Sequence, residues 1–274
     1  MTEMDILFLK TALAVYLISA LGYLGSLYVK RVVIAKMSTW VFLLAFAVHT
    51  IFFVVRFFET RQTPIISLYE TLSFFAWVMA GIYLALQLKT KTRILGAFVS
   101  PVIFVLMIVA SAGMGGHVSL PDILRSNLVP VHVILSVIGE ALFALACCAG
   151  AMYLIQEGLL KNKKMSGFIR IFPSLTDLDR INHICLLWGF PLLTLCVLIG
   201  SIWARTAWGS LWQWDPKQVW TLTAWICYAL LLHQRLAIGW KGHKAALFSI
   251  LAFLVLLASF VTINLCFVTA HSFM

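Results

Sequence analysis

Charged side chains are scarce in this chain of 274 residues, and acidic ones are the scarcest. Only 11% of the residues are charged, with 10 acidic residues against 20 lysines and arginines, whereas 62% are hydrophobic. Ordinary soluble domains have about one charged residue in four. The shortage of charge excludes a soluble globular protein. The mean hydropathy of +1.01 indicates a chain that is surrounded mostly by lipid.

The sequence also lacks any pair of cysteines spaced C-x-x-C. Six cysteines are present, and all of them lie inside apolar stretches. They are Cys147, Cys148, Cys185, Cys196, Cys227 and Cys266. Neither a zinc site nor a thioredoxin-like redox pair is indicated. We interpret all six as small buried hydrophobic residues.

The formal net charge of +10 does not indicate a nucleic-acid partner. A nucleic-acid binder would gather its basic residues on one polar region, whereas here they form short runs between apolar stretches. That distribution is typical of membrane topology. The partner that composition predicts is therefore the lipid bilayer.

Eight stretches are long and apolar enough to cross a bilayer, which requires about 20 residues of helix. They cover residues 5–29, 38–57, 65–88, 94–113, 128–159, 181–203, 218–234 and 245–268. We predict an all-α polytopic membrane protein with about eight transmembrane helices in a single integral membrane domain, 1–274. The first stretch has no basic leader region, so we expect it to be retained.

The basic residues also predict orientation. Loops and span ends after the odd-numbered spans hold 14 lysines and arginines, and those after the even-numbered spans hold five. By the positive-inside rule the first set is cytoplasmic. Both termini and the loop between spans six and seven then lie on the outer side (periplasmic, extracytoplasmic or lumenal) of a cytoplasmic or thylakoid-type membrane.

Five of the ten tryptophans lie in one outer segment, residues 203–220. An interfacial aromatic belt would place one or two at each helix end. If the segment is locally helical, Trp208 and Trp212 share one face and form a platform for a planar ligand. Asp215 is predicted to cap the seventh span, with Pro216 as its first residue and Gln218 completing a capping box.

The string WGSLWQWDPKQVW resembles the tryptophan-rich WWD signature of the haem-handling superfamily of cytochrome c biogenesis. The neighbouring strings GFPLLT, LIGSIWA and LLHQR are similar to the CcsA/ResC family of the System II pathway. The resemblance implies an outer haem-binding loop at about 203–218. It further implies that haem b is moved to the outer face and presented for thioether attachment to the CxxCH motif of an apocytochrome c.

The same resemblance implies partners and a role. The chain would be the haem-binding half of a holocytochrome c synthase, acting with a CcsB/ResB-like membrane protein and with thiol-reducing proteins. No catalytic residue is assigned. The haem-binding residues predicted from the tryptophan loop and from the histidines are Trp208, Trp212, Trp214, Asp215, Arg205, His132, His271, His233 and His49.

Two histidines are predicted at the depth of the tryptophan loop, and haem iron is commonly held by axial imidazoles. His132 lies near the outer end of span five, and His271 follows span eight. They match the positions of the two outer histidines that ligate the haem iron in the family. The alternative is a pair of interfacial histidines without a ligand.

Two further histidines are predicted inside the membrane. His233, near the inner end of span seven, matches the family's intramembrane histidine, and the resemblance implies that it binds the iron of haem in transit at an intramembrane station; its partner ligand would come from the CcsB/ResB protein. His49 lies near the middle of span two. It is either a further ligand or a hydrogen-bonded core histidine.

Haem carries two propionates, so cations are expected beside it. The outer candidates are Arg56, Arg61, Arg125, Arg205 and Lys217. Arg205 and Lys217 are nearest to the tryptophans in sequence. Glu70 and Glu140 are acids within spans, for which a hydrogen bond between helices is the simplest account.

Three other functions fit parts of the pattern. One is that of a superfamily member that delivers haem to a haem chaperone instead of completing ligation. A membrane-bound b-type electron-transfer cytochrome would need two intramembrane histidines on facing helices and no tryptophan loop. A transporter with an interfacial tryptophan belt would bind no haem.

Overall fold

The computed structural model of the chain describes residues 3–61, 63–65, 67–90, 92–115, 126–162 and 172–266. In these ranges the chain forms eight α-helices and no strand. They are α1 (Glu3–Val29), α2 (Val32–Thr60), α3 (Leu68–Thr90), α4 (Gly96–Gly113), α5 (Leu128–Lys161), α6 (Leu175–Trp208), α7 (Pro216–Leu236) and α8 (His243–Cys266). Each helix overlaps one of the eight stretches predicted from hydropathy. The all-α prediction is confirmed.

Seven of the helices in the described ranges are long and apolar enough to cross a membrane. The exception is α7, which has 21 residues but includes Lys217, His233 and Arg235. It corresponds to the shortest of the predicted spans. The chain is therefore an all-α polytopic integral membrane protein, and α7 is the least apolar of its helices.

Local hydrogen bonds mark the end of α2 and the beginning of α3. At Arg61 the backbone is left-handed, with φ of 55°, and its N–H donates to the carbonyl of Phe57, 2.9 Å away. At Ser67 the hydroxyl accepts from the N–H of Glu70 at 3.1 Å, and the Glu70 carboxylate accepts from the N–H of Ser67 at 3.3 Å. This reciprocal pair is a capping box that begins α3.

The chain divides into two compact units, and the predicted single membrane domain stays a prediction. Unit 1 comprises Met1–Val118 and Met152–Leu178. In it α1 packs against α2 and α4, and α3 packs against α4. Its buried core contains Tyr16, Phe42 and Tyr83, and both tyrosines meet the Phe42 ring edge-to-face at a centroid separation of 5.4 Å.

A buried ionic cluster in unit 1 joins three helices. Arg56 of α2 donates to Asp5 of α1 at 3.1 Å and, through two nitrogens, to Glu70 of α3 at 2.6 and 2.9 Å. The Arg56 side chain is only 2% exposed. Arg56 was considered as a loop cation beside haem, but the structure places it in this cluster. The carboxylate of Glu70, predicted to bond between helices, belongs to the same cluster, so that prediction is confirmed.

Unit 2 comprises Ser119–Ala151 and Asp179–Met274, and α7 packs against α8 within it. Glycines allow α5 and α6 to approach closely: a Cβ on Gly189 would lie 2.7 Å from the Phe143 ring, and one on Gly139 would lie 3.3 Å from the Gly189 carbonyl oxygen. Small residues favour such close packing in membrane proteins. The Phe143 ring stacks on Tyr228 of α7 at 3.6 Å. These contacts hold α5, α6 and α7, which form the candidate site, against one another.

A second buried arginine, Arg235, joins α7 to α6 in unit 2. Arg235 of α7 donates to Asp179, Asn182 and His183 of α6 at 3.0, 2.9 and 3.2 Å. The side-chain amide of Asn182 continues the network by donating to Ser249 of α8. Arg235 was counted as one of the cytoplasmic charges, and the structure gives it this additional packing role.

Candidate functional site

A cleft in unit 2 lies between α5, α6 and the first turns of α7, with a cavity volume of about 120 Å³. His132, Ser136 and Glu140 line it from α5. Their spacing of four residues places them on one face of the helix. The predicted iron ligand His132 is therefore part of a formed concave site.

The His132 imidazole is held against α6. Its Nδ1 lies 2.9 Å from the carbonyl oxygen of Cys196, with the Cys196 sulfur 3.4 Å away. A carbonyl oxygen can only accept a hydrogen bond, so Nδ1 carries the hydrogen. In neutral histidine this leaves the lone pair on Nε2, the arrangement that metal-binding histidines use.

The tryptophan loop does not continue α6. The helix ends at Trp208, and Gly209 follows with a φ of 81° and donates its N–H to the carbonyl of Arg205 at 3.0 Å. Glycine adopts this left-handed conformation without steric cost and commonly ends helices. The segment from Trp208 to Trp212 is therefore not helical, and the condition under which these two tryptophans would share a helical face is not met.

The tryptophans instead form two edge-to-face pairs. Trp203 and Trp208 have a centroid separation of 4.9 Å, and Trp212 and Trp214 one of 5.7 Å. One member of each pair, Trp203 and Trp212, lines the cleft, whereas Trp214 is 78% exposed. Trp203 was absent from the predicted site. Its spacing of three and seven residues from Gly200 and Cys196 could have assigned it to the same face of α6.

The start of α7 agrees with the prediction in its main features. Asp215 caps the helix by accepting from the N–H of Lys217 at 2.9 Å, and Pro216 is the first helical residue. The predicted capping box is wrong in one detail. The Gln218 side chain accepts from the N–H of Gln213 at 2.9 Å, because the chain turns at Trp214, whose φ is 56°. The cap and this second bond join the loop to α7.

Two charged residues line the cleft, Glu140 from α5 and Lys217 from α7. Glu140 is half-buried and accepts a hydrogen bond from the Ser136 hydroxyl at 2.9 Å, whereas Lys217 is exposed. Arg205, the other cation predicted beside the ligand, is exposed in the last turn of α6 and does not line the cleft. Lys217 therefore lines the same cleft as His132, whereas Arg205 does not.

The remaining predicted ligands are in different surroundings. His49 is fully buried in unit 1; its Nε2 lies 2.9 Å from the Ser73 hydroxyl and its Nδ1 3.5 Å from the Tyr16 hydroxyl. His233 is exposed on α7 of unit 2, and its ring makes no hydrogen bond to any residue that the structure describes. His271 lies outside the described residues.

Comparison with known sequences places the chain among proteins of cytochrome c biogenesis. Residues 65–271 match the family described as "Cytochrome C assembly protein". The cytochrome c biogenesis protein CcsA of Chlorella vulgaris is 29% identical over 256 residues, covering 82% of this chain and 81% of that protein. CcsA of Chlamydomonas reinhardtii is 32% identical over 228 residues, covering 80% of this chain and 63% of that protein.

A solved structure shares the fold. The cytochrome c heme lyase CcmF superposes with a TM-score of 0.66 over 95% of this chain, with 14% sequence identity. This chain spans 47% of the length of that protein. The structural likeness covers 95% of the chain, while the match to the family model covers residues 65–271, about three quarters of it. The chain belongs to the cytochrome c assembly protein family and has a role in cytochrome c biogenesis.

Proposed function

We propose that the chain binds haem b in the cleft of unit 2 and presents it, on the outer side of the membrane, for thioether attachment to an apocytochrome c. Haem is the substrate in this proposal. His132 and His271 hold its iron, and the tryptophans of residues 203–214 contact its planar face. Asp215 acts through the loop by fixing the start of α7.

The observation that carries the proposal is the geometry of His132. A hydrogen bond from Nδ1 to the Cys196 carbonyl sets the tautomer and the direction of the ring. Such a bond to the ring N–H is typical of metal-ligating histidines, because it orients the ring and raises its basicity. Trp203 and Trp212 line the same cleft and supply apolar, aromatic surface for a porphyrin.

The attachment reaction requires little from the protein except that it holds haem and the acceptor in the correct orientation. A cysteine thiol of the acceptor adds across a haem vinyl group, so that sulfur bonds to one vinyl carbon and the thiol hydrogen goes to the other. The addition consumes no oxidant or reductant, provided that the acceptor's cysteines are reduced. Holding haem and acceptor in one orientation raises their effective concentration. The acceptor's histidine then replaces one axial ligand and releases the product.

The proposed partners are those that the family resemblance implies. A CcsB/ResB-like membrane protein supplies the iron ligand opposite His233 at an intramembrane station, which suits the exposed position of His233 on α7. Thiol-reducing proteins keep the acceptor's cysteines reduced. The outer orientation follows the positive-inside pattern of the sequence.

An absorption spectrum of the protein, purified with its partner, tests the proposal. We expect the spectrum of low-spin haem with two imidazole ligands. The variants His132→Gly and His271→Gly should each lose that spectrum, and added imidazole should restore it by occupying the vacated position. Rescue by imidazole separates ligand loss from misfolding.

Other outcomes assign other functions. Absence of haem in the parent protein contradicts the proposal and favours a transporter. A haem spectrum that survives in both variants moves the ligands to His49 and His233 and favours a b-type electron-transfer cytochrome. Transfer of haem to a protein without a CxxCH motif favours delivery to a haem chaperone.

A further inference from the structure

We infer that haem passes between His233 and the cleft of His132 along the outward side of α7, and not through the interior of unit 2. The outward side of α7 consists of the exposed residues Leu222, Ile226, Leu230 and His233. The inference rests on the proposed function, because it takes haem as the ligand of both histidines. It adds to that function the route by which the two sites are connected.

The interior between α5, α6 and α7 is filled directly below the cleft. Phe143 of α5 stacks on Tyr228 of α7 with a centroid separation of 3.6 Å and an interplanar angle of 9°, and both side chains are fully buried. From the side of α6, Gly189 leaves only the space that the Phe143 ring takes, since a Cβ there would lie 2.7 Å from the ring. Protein interiors packed in this way have no room for a further ring system. A porphyrin could pass here only if the three helices separated.

The outward side of α7 connects the cleft with His233 without such a barrier. Its four residues follow one another at spacings of four, four and three, so they lie on one face of the helix. Leu222 is 38% exposed, Ile226 45% and Leu230 58%. Leu222 also lines the cleft. The face therefore begins at the cleft and reaches His233 about 16 Å further along the helix, at 1.5 Å per residue.

The position of His233 on this apolar face indicates what covers the face. An ionisable side chain within the membrane is costly unless a ligand or a partner satisfies it. The His233 ring is exposed and makes no hydrogen bond to any residue of the described ranges. Haem suits both features, because imidazole binds its iron and aliphatic side chains contact its apolar ring. The same apolar contact is available at Leu230, Ile226 and Leu222.

Trp225 supplies an aromatic surface beside this face, one turn below the cleft residue Thr221. Its indole N–H donates to the Thr194 hydroxyl of α6 at 2.9 Å, and its ring lies 5.3 Å from the Phe190 ring. These contacts fix the orientation of the indole. Trp225 is only half-buried, so part of its ring stays accessible. It therefore continues the aromatic lining of the cleft, which includes Trp212, towards His233.

A cysteine placed on the route should capture haem. Its thiol adds across a haem vinyl group, so that sulfur bonds to one carbon, the hydrogen goes to the other, and no oxidant or reductant is consumed. Ile226→Cys and Leu230→Cys are each purified with the partner protein under reducing conditions and denatured, and peptides that carry covalent haem are identified by mass spectrometry. We expect at least about tenfold more haem on the peptide of residues 218–235 than in the parent protein, because proximity raises the effective concentration of the thiol.

The controls separate the outward side from the interior. Ile226→Ser differs from the capturing variant only by oxygen in place of sulfur and should carry no additional covalent haem. Cys185 of α6 is fully buried one turn below Gly189, so the parent protein already has a thiol in the interior. We expect no haem on the peptide that contains Cys185.

Trp225 is tested by combining its substitution with capture at the two ends of the face. Trp225→Leu should leave capture at Leu230→Cys, nearer to His233, unchanged and should lower capture at Leu222→Cys, next to the cleft. Trp225→Phe keeps an aromatic ring and should retain capture at both positions. Equal capture at Leu222→Cys with and without Trp225→Leu would show that haem reaches the cleft without this ring.

The outcomes distinguish the route from the proposed function. Haem on Cys185 contradicts the inference, because it places haem in the interior. Capture at Leu230→Cys without capture at Ile226→Cys also contradicts it, because haem would then be held at His233 without moving along α7. If neither position captures haem while the haem spectrum still depends on His132, the proposed function stands and this route fails. If the parent protein holds no haem, both fail.

Discussion

The His132 ring occupies space that only a glycine at position 200 leaves open. A Cβ on Gly200 would lie 2.7 Å from His132 Cε1 and 2.9 Å from Nδ1. The same turn of α6 supplies the Cys196 carbonyl that accepts from Nδ1. Position 200 therefore controls both the space for the imidazole and the contact that orients it.

We predict that Gly200→Ala displaces the His132 ring and lowers haem affinity at least tenfold. The added methyl group overlaps a ring that is bonded on one side to backbone, so either the ring or α6 must shift. Overpacking of this kind also destabilises proteins by about 1–3 kcal/mol. The measurement is the dissociation constant for haem, together with the thermal unfolding midpoint in detergent.

Gly25→Ala is the matched control for that substitution. An added Cβ at Gly25, within α1, meets nothing within 4 Å. Alanine should leave haem affinity unchanged and should stabilise the helix by about 0.5–1 kcal/mol. If Gly200→Ala also leaves haem affinity unchanged, His132 is not the iron ligand or does not need its contact with α6.

The cap of α7 predicts a second outcome. Asp215→Ala removes the acceptor for the Lys217 N–H and should destabilise the protein by about 1 kcal/mol. It should also weaken haem binding, since the loop that carries Trp212 is joined to α7 through this residue. Asp215→Asn keeps a side-chain oxygen at the same place and should behave like the parent protein. Equal losses in both variants would mean that the negative charge matters instead of the hydrogen bond.

Local sequence signals predicted the parts of the site that depend on neighbouring residues. The order Asp215, Pro216 specifies a helix start, because a side-chain acceptor precedes a residue that has no N–H to satisfy. Hydropathy likewise predicted the eight helices, since each must be apolar over its own length. The predicted sixth span ends at residue 203, whereas α6 continues to Trp208 and is followed by Gly209.

Contacts between distant residues were not predictable in the same way. Nothing near Arg56 in the sequence shows that Asp5, 51 residues away, and Glu70 supply opposite charges from two other helices. For this reason the sequence alone placed Arg56 among the outer cations that could lie beside haem. The contact between His132 and Cys196 is similar, as it joins residues 64 apart whose relation depends on how α5 packs against α6.

The Arg56 cluster predicts a large loss of stability in unit 1. Arg56→Met leaves the Asp5 and Glu70 carboxylates buried without the cation, and breaking a buried ion pair from one side costs about 3–5 kcal/mol. We expect a strong fall in the thermal unfolding midpoint or in the yield of folded protein. Lys36→Met, an exposed lysine on the same helix, should have little effect. Similar effects of the two substitutions would contradict the buried cluster.

Substitution of His49 tests whether this residue is a haem ligand or a hydrogen-bonded core histidine. Its two ring nitrogens lie near hydroxyl groups of Ser73 and Tyr16, and its ring stacks on Phe53 at 5.0 Å. We expect His49→Gln to leave the haem spectrum unchanged and to lower stability by about 1–3 kcal/mol, the cost of leaving buried polar groups unsatisfied. Ser73→Ala is the companion variant, and the double substitution should cost less than the sum of the two. Loss of the haem spectrum in His49→Gln alone would instead identify it as a ligand.

At position 235, arginine and lysine carry the same charge, but we expect them to differ in how much they stabilise the protein. Its guanidinium donates to Asp179, Asn182 and His183 through three nitrogens, a pattern that a lysine ammonium cannot reproduce because its donors diverge from one point. We expect Arg235→Lys to lower stability by about 1–3 kcal/mol, since at least one buried partner loses its donor. The effect should extend to the environment of His233, two residues earlier on α7, and a label placed at His233→Cys would report it as a change in mobility. Arg180→Lys, at an exposed position next to Asp179, is the matched control and should leave both measurements unchanged. If Arg235→Lys behaves like this control, charge alone holds α7 against α6.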